Sequence, residues 1–232
     1  MNNEILLFLN LVVVYGGVLL FYRFFKAPGL MCFTVFATIA ANIEVMIVID
    51  AFTLEQTLGN IMFASTFLIT DILSENHGKK TAKEAVNIGI ATSLAFIIIS
   101  HIWLMYQPSP NDWAMPYMQA VFSNTPRIML AGFIVYAIVQ KLDVWLYHKW
   151  WDFTEKRFQD KDRFLWLRNN GSTLISQLVN SFLFNFGAFL GVYEMPTLIS
   201  ICFATYIVYF VTAILDTPVV YLARRMHRAS LK

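Results

Sequence analysis

The sequence predicts an all-α fold, a polytopic integral membrane helical bundle with seven spans. The first observation is the composition, in which 58% of the residues are hydrophobic and only 14% are charged. Soluble domains carry roughly 25% charged residues, so an ordinary soluble domain is excluded. The other two observations are a series of long apolar segments and the regular alternation of basic residues between them.

Each predicted span is an apolar segment close to the roughly 20 residues that a helix needs to cross a bilayer. The third segment is the shortest and most polar, and its length suffices if Asp71 and Glu75 lie at the membrane edge. Together the spans form a single transmembrane domain over residues 1–232. The seven predicted spans are residues 5–25, 30–51, 58–75, 86–106, 127–148, 172–191 and 197–222.

The basic residues predict the orientation of the chain in the membrane. Fifteen of the seventeen lysines and arginines lie in alternate connections, and the connections between these contain none. The two exceptions, Arg127 and Lys141, lie in or at the edge of the fifth span. By the positive-inside rule, we expect a multi-pass plasma-membrane protein with its N-terminus outside and its C-terminus cytoplasmic. Residues 149–170 are then a basic cytoplasmic loop.

Motifs for catalysis or for a cofactor are missing from the sequence. Cys32 and Cys202 lie separately in apolar runs and the histidines are scattered, so neither a disulfide framework nor a metal site is predicted. The segment HGKKT lacks the first glycine of a phosphate-binding loop, and the last span lacks a lysine for a retinal Schiff base. A protease pair of Asp143 and Asp216 has no supporting flanking motif. We therefore expect no cofactor, no metal and no enzymatic activity.

The fifth and sixth spans each carry polar and aromatic residues along one helical face. A spacing of i, i+4, i+7 and i+11 places such residues on one stripe. Polar residues are costly in lipid and usually face the interior of a bundle. Two interpretations stay open, because the amides either bond one helix to another or line a site. The stripes are Tyr136, Gln140, Asp143 and Tyr147 in the fifth span, and Thr173, Gln177, Asn180 and Phe184 in the sixth.

The stretch FLITDILSENHGKK places two acids in the last turns of the third span. Gly78 is predicted to end this helix, and a helix C-terminus disfavours negative charge. Asp71 lies deeper and is a candidate ligand or coupling acid. Glu75 is expected at the inner interface, near Lys79 and Lys80. The further candidates are Asn42, Asn60, Arg127 and Asp216.

Carboxylates, side-chain amides and aromatic rings together suit a flat, polar heterocycle. A carboxylate accepts two N–H bonds from a guanine-like edge, amides pair with the remaining polar groups, and aromatic rings stack on the faces. Such a set of side chains can bind a ligand but has no group suited to catalysing a reaction on it. We therefore expect a transporter of a small polar solute, with Tyr136, Tyr147 and Phe184 as candidate stacking residues.

The segments TDILSENHGKK, RIMLAGFIVYAIVQKLD and RNNGSTLISQLVN follow one another in a specific order and spacing. Together they resemble the queuosine precursor transporter family, also called the vitamin uptake transporter family, over roughly residues 37–222. The resemblance implies a six-helix transporter core plus one N-terminal helix. It also implies import of queuosine precursors, which are 7-deazaguanine bases such as the 7-cyano and 7-aminomethyl forms.

The same resemblance assigns functional weight to particular positions of this chain. The position of Asn180 is often an aspartate in the family, and an amide there cannot titrate, although it can still bind a base. The positions implied by the family pattern are Asn42, Thr70, Asp71, Arg127, Gln140, Asp143, Ser172, Gln177 and Asn180.

The resemblance leaves two modes of transport open. The chain is either a stand-alone carrier or the substrate-binding subunit of an energy-coupling-factor-type transporter with separate ATPase partners. Subunits of the second kind dock through small residues spaced four apart, and Ala37 and Ala41 have that spacing. The expected partners are a 7-deazaguanine base and the lipid bilayer, with no nucleic acid. A homo-oligomer and a coupling module stay open.

Overall fold

The computed structural model describes residues 2–52, 54–122, 126–160 and 163–230. These residues form six helices and one antiparallel two-stranded hairpin. Helices are expected in lipid because a helix satisfies its own backbone N–H and C=O groups. The elements are α1 (Asn3–Glu44), β1 (Val48–Ala51), β2 (Leu54–Thr57), α2 (Gly59–Trp103), α3 (Met115–Phe122), α4 (Pro126–Phe158), α5 (Leu165–Phe189) and α6 (Met195–Ala229).

The hairpin of β1 and β2 is a departure from the all-α prediction. The predicted second span extends to residue 51, whereas α1 ends at Glu44 and Val48 pairs with Thr57 across the hairpin. Val48 and Ile49 are β-branched, which favours an extended backbone. A short apolar run cannot be assigned to a strand or to the end of a helix by hydrophobicity alone.

α1 reverses its direction at Lys26, which has φ 57° and ψ −139° inside an otherwise regular helix. A straight helix of 42 residues would be about 63 Å long. However, Asn3 Nδ2 near the start of α1 donates a hydrogen bond of 2.9 Å to the carbonyl oxygen of Asp50, which lies beyond its end. The two halves of α1 therefore run side by side in opposite directions.

α2 reverses in the same way at Gly78, which has φ 82° and ψ 171°. Gly59, at the start of α2, packs against the backbone of Ala41. Ser93, in the second half of α2, accepts a hydrogen bond of 3.4 Å from Asn42 Nδ2. The prediction that Gly78 ends a helix is confirmed, and a second helix begins directly after it.

These reversals give the bundle two distinct ends. We call the end that contains β1 and β2 the hairpin end. We call the opposite end, which contains Lys26, Gly78, the end of α4 and the start of α5, the basic end. At the basic end, Tyr22 Oη lies 3.1 Å from His77 Nε2, and the His77 and His227 rings are 4.9 Å apart between centroids. These contacts join α1, α2 and α6.

α2 packs against α1, α4 and α6, and α5 packs against α4 and α6. In the described residues, four helices are long and apolar enough to cross a membrane, namely α1, α2, Arg127–Phe158 of α4, and α6. The chain is therefore a helical membrane protein. Much of the predicted loop at residues 149–170 is helical, because α4 continues to Phe158 and α5 begins at Leu165.

We expect Gly78→Ala to lower the free energy of unfolding by about 1–3 kcal/mol, because its backbone conformation is essentially restricted to glycine. Apart from the adjacent residues and the nearby backbone of its own helix, no described atom lies within 4 Å of a Cβ at this position, so the loss would come from backbone strain. Gly16→Ala is the matched control, since its site is equally open but regularly helical. Thermal unfolding in detergent should give a lower Tm for Gly78→Ala alone; equal shifts in both variants would contradict this account.

Candidate functional site

A cavity of about 70 Å³ lies near the hairpin end, between residues of α1, α2, α4, α5 and α6. Four of the predicted site residues line it: Asn42, Tyr136, Asn180 and Phe184. They come from three different helices, α1, α4 and α5. The structure therefore brings two amides and two aromatic rings together around one cavity. Spacing along the sequence could only assign these residues to faces of separate helices.

Asn60, Phe63 and Tyr209 complete one wall of this cavity. The Phe63 ring meets Tyr136 edge-on, with 5.9 Å between centroids, and Tyr209 Oη donates a hydrogen bond of 3.2 Å to Asn60 Oδ1. Asn60 is a polar residue that the sequence already singles out. Phe63 and Tyr209 lie in apolar runs that look like ordinary helix packing, so no sequence signal identifies them.

Gln140 lies one hydrogen bond away from the cavity. Its Nε2 donates to Thr66 Oγ1 at 2.5 Å, and its Oε1 accepts from Thr70 Oγ1 at 3.5 Å. Thr66 itself lines the cavity, so Gln140 connects α4 to the cavity wall on α2. Gln177 has a similar relation to Asn180, whose Nδ2 donates to Gln177 Oε1 at 3.2 Å.

Asp71 and Asp143 form a buried pair farther from the hairpin end, and neither side chain is exposed. The hydroxyl groups that bond to them lie one turn apart on α5. Thr173 Oγ1 donates to Asp71 Oδ2 at 3.1 Å, and Ser176 Oγ donates to Asp143 Oδ1 at 2.8 Å. Among the described residues, the second oxygen of each carboxyl group has no hydrogen-bond donor.

Glu75 is the centre of a buried ion-pair network at the basic end. Its carboxylate is 2.6 Å from Arg168 Nη2 and 2.8 Å from Arg168 Nε, a bidentate arrangement of charged hydrogen bonds. Tyr147 Oη donates to Glu75 at 2.7 Å, and Arg224 Nε lies 3.3 Å away. The Arg168 guanidinium also covers the Trp151 ring at 4.2 Å from its centroid.

This network differs from the expectation for Glu75, which placed it at the interface near Lys79 and Lys80. The side chain is only 2% exposed, and its ion pairs come from α5 and α6 instead. Arg168 is therefore a structural residue that sequence reasoning assigned to a basic loop. A weak signal for it exists, because Arg168, Ser172 and Ser176 extend the polar face of α5 at intervals of four residues.

Besides Asp71 and Asp143, three other candidate residues lie apart from the cavity. Arg127 is exposed, and its Nε and Nη2 donate to the carbonyl oxygens of Gly187 (2.9 Å) and Leu190 (2.7 Å), at the end of α5. A cation at a helix C-terminus is favourable. Tyr147 belongs to the Glu75 network. Asp216 accepts a hydrogen bond of 2.8 Å from Asn169 Nδ2.

Buried amides, hydroxyls and carboxyl groups between long apolar helices define a polytopic membrane protein with a polar interior. Such interiors mark solute or ion pathways, so the class is that of small-solute transporters.

Comparisons with known proteins agree with this class. A family model described as "Putative vitamin uptake transporter" matches residues 57–223. The chain is 34% identical over 225 residues to a protein of Bacillus subtilis (strain 168) named "Probable queuosine precursor transporter", covering 97% of this chain and 96% of that protein. No solved structure matches the chain. The chain belongs to the vitamin uptake transporter family, as its sequence motifs predict, and is a membrane-embedded transporter.

We expect Glu75→Gln to destabilise the protein by about 3–5 kcal/mol, because it leaves the buried Arg168 guanidinium beside a neutral amide. Glu84→Gln on the same helix is the control, since Glu84 is exposed and its replacement should change stability by about 0.5 kcal/mol or less. Thermal unfolding in detergent measures both. An unchanged Tm in Glu75→Gln would mean that the ion pairs do not hold the basic end together.

Proposed function

We propose that this protein imports a queuosine precursor, a 7-deazaguanine base, as a stand-alone carrier. The observation that carries the proposal is the cavity lined by the amides of Asn42, Asn60 and Asn180 and by the rings of Tyr136 and Phe184. A 7-deazaguanine base is flat and presents both donors and acceptors along its edge. Amides can pair with both kinds of group, and aromatic rings can cover the face. The name of the Bacillus subtilis relative indicates the same class of substrate.

The proposed topology has seven spans. The reversals at Lys26 and Gly78 divide α1 and α2 into two segments each, and α4, α5 and α6 supply the other three. The positive-inside rule then places the basic end in the cytoplasm and the N-terminus outside. In this orientation the cavity is nearer the outer surface and the Glu75 network is nearer the cytoplasm.

The cavity in this structure corresponds to a closed form of the carrier. Its volume of about 70 Å³ is well below the roughly 300–1,000 Å³ that is typical of ligand pockets. A base therefore fits only after side chains at the wall, Tyr136 and Phe184 among them, have moved. The Glu75–Arg168 ion pair keeps the cytoplasmic side closed in the same form.

We assign the following roles to the predicted site residues from their positions relative to the cavity. Asn42, Asn180 and Gln140 pair with the edge of the base, and Tyr136 and Phe184 cover its faces. Gln177 orients Asn180 through their hydrogen bond. Arg127 caps α5, and Tyr147 holds the inner end closed.

The packing of Ala37 favours the stand-alone carrier over the subunit of an energy-coupling-factor-type transporter. Ala37 is fully buried in the core formed by α1 and its neighbours, and Ala41 lines the cavity. These two small residues are therefore occupied by contacts within the chain, whereas a docking stripe for a partner needs an outward face.

Import can be tested in cells that neither make queuosine precursors nor carry an importer or coupling modules. With this chain expressed and each base supplied at low concentration, we expect queuosine to appear in transfer RNA. The base that is effective at the lowest concentration identifies the substrate. Absence of queuosine with every base, in cells where the chain is present in the membrane, would overturn the proposal.

The cavity itself can be tested with Asn180→Leu, which removes the amide and keeps the number and branching of the side-chain heavy atoms. We expect it to reduce uptake by about tenfold or more, equivalent to roughly 1.4 kcal/mol of lost binding. Asn185→Leu is the matched control on the same helix, because Asn185 is also buried but bonds to the backbone of Ser181. Equal loss in the two variants would point to a packing effect and away from base recognition.

Gly89→Ala tests the position of the Tyr136 ring. A Cβ at Gly89 would lie 2.8 Å from Tyr136 Cζ, so the ring has to shift within the cavity. At Gly132, which lines the cavity, a Cβ would lie 3.7 Å from the Phe184 ring, an ordinary van der Waals contact. We expect Gly89→Ala to weaken apparent affinity for the base by about tenfold, and Gly132→Ala to keep it. The apparent affinity is measured from the concentration dependence of uptake.

A further inference from the structure

We propose that Asp71 and Asp143 form a proton-binding site that couples base import to the proton gradient. One proton, held between the two carboxyl groups, enters from the outer side with each base and leaves to the cytoplasm. The inference rests on the proposed function, because it names the coupling ion of the same carrier.

The geometry of the pair favours binding of a proton. Both side chains are fully buried, and their hydroxyl donors, Thr173 and Ser176, lie one turn apart on α5, where Ser176 Oγ also donates to the Thr173 carbonyl oxygen. Two ionised carboxylates side by side in a buried site repel, whereas one bound proton removes this repulsion. Among the described residues, one oxygen of each group has no donor, and a single proton shared between the two groups would satisfy both.

The groups around the pair do not supply a compensating positive charge. From α2 and α6 the neighbours are the acids Glu75 and Asp216, and Asp216 is in turn near Tyr15 of α1. The residues that contact the pair from α5 are hydroxyls, Thr173 and Ser176. Lys141, two residues from Asp143 on α4, is exposed, and the buried basic groups Arg168 and Arg224 are ion-paired to Glu75, which also accepts a hydrogen bond from the Tyr147 hydroxyl of α4. The charge of the pair is therefore balanced most directly by a proton.

The pair also lies where coupling requires it. Gln140 bonds to Thr66 at the cavity wall and to Thr70, the residue next to Asp71. A base that draws Gln140 toward the cavity therefore disturbs the segment that carries Asp71. On the other side, Glu75 lies one helical turn beyond Asp71, at the cytoplasmic closure. The proton site thus separates the base site from the inner closure.

The charge moved in each transport cycle follows from the number of protons that the pair binds. The empty pair carries two negative charges, and binding one proton from outside reduces this to one. Release of that proton to the cytoplasm restores the starting charge, so each cycle moves one proton and one base in the same direction. With the uncharged 7-cyano base, the proton is the only charge that moves.

The test uses the purified full chain reconstituted in liposomes, with the 7-cyano base as substrate. When the outside is more acidic than the inside, we expect base accumulation to rise by up to about tenfold for each pH unit of gradient. Addition of base outside should also make the outer medium more alkaline, as read by an impermeant pH dye. Accumulation that follows a sodium gradient and ignores the pH gradient would overturn the proposal.

Asp71→Asn and Asp143→Asn each keep the shape of the side chain but remove one of the two carboxyl groups that share the proton. We expect both variants to exchange labelled base for unlabelled base at equal pH, and to lose the response to the pH gradient. Loss of exchange in both variants would assign the pair to base binding and overturn the proposal. Asp216→Asn should keep the response; loss there, with retention in the other two, would place the proton at Asp216 instead.

The outcomes separate this inference from the proposed function. Base transport that is insensitive to pH, with no alkalinisation in the wild-type protein, removes the proton site and leaves the import function standing. Absence of transport for every 7-deazaguanine base removes the import function, and the proton site with it.

Discussion

A charge buried in a helical membrane bundle needs a partner from another helix, and the ion pair of Glu75 with Arg168 is the contact on which the rest of this structure depends. It connects α2 to α5, and Tyr147 and Arg224 add α4 and α6. α5 carries many of the buried polar side chains, so fixing its register at this end determines where its hydroxyls and amides lie. Arg168 bonds to Glu75, and Thr173, five residues later on α5, bonds to Asp71, one turn earlier on α2, so the two contacts agree in register.

Asp71 and Glu75 are one helical turn apart, yet their surroundings are of opposite character. Glu75 has a guanidinium group in bidentate contact, so its charge is permanently balanced. Asp71 has one hydroxyl donor, from Thr173, and no ion pair among the described residues. The same helix therefore carries an ion-paired acid and, about 5–6 Å away, an acid that could bind a proton in the proposed carrier.

The sequence predicts part of this arrangement and not the rest, for physical reasons. Helical periodicity correctly predicts that Tyr136, Gln140, Asp143 and Tyr147 lie on one buried face, and Gly78 correctly marks the end of a helix. Eleven residues of helix span about 16 Å, however, which is longer than a single base, so these four residues cannot all contact one ligand. Which of them face the cavity depends on the neighbouring helices. The hairpin and the burial of Arg168 also depend on tertiary contacts. From local composition alone, the hairpin residues look like the end of a helix and Arg168 looks like part of a loop.

The pairing of α2 with α4 gives the bundle its functional order. Thr66 bonds to Gln140, Asp71 lies opposite Asp143, and Glu75 bonds to Tyr147, so both helices run in the same direction with three facing pairs in succession. The first contact borders the cavity, the second is the carboxyl pair and the third closes the basic end. A sliding motion of one helix along the other would change all three contacts together, because they share two rigid backbones. In the proposed carrier, recognition of the base at the cavity can therefore be transmitted to the Glu75 network at the basic end by these same two helices.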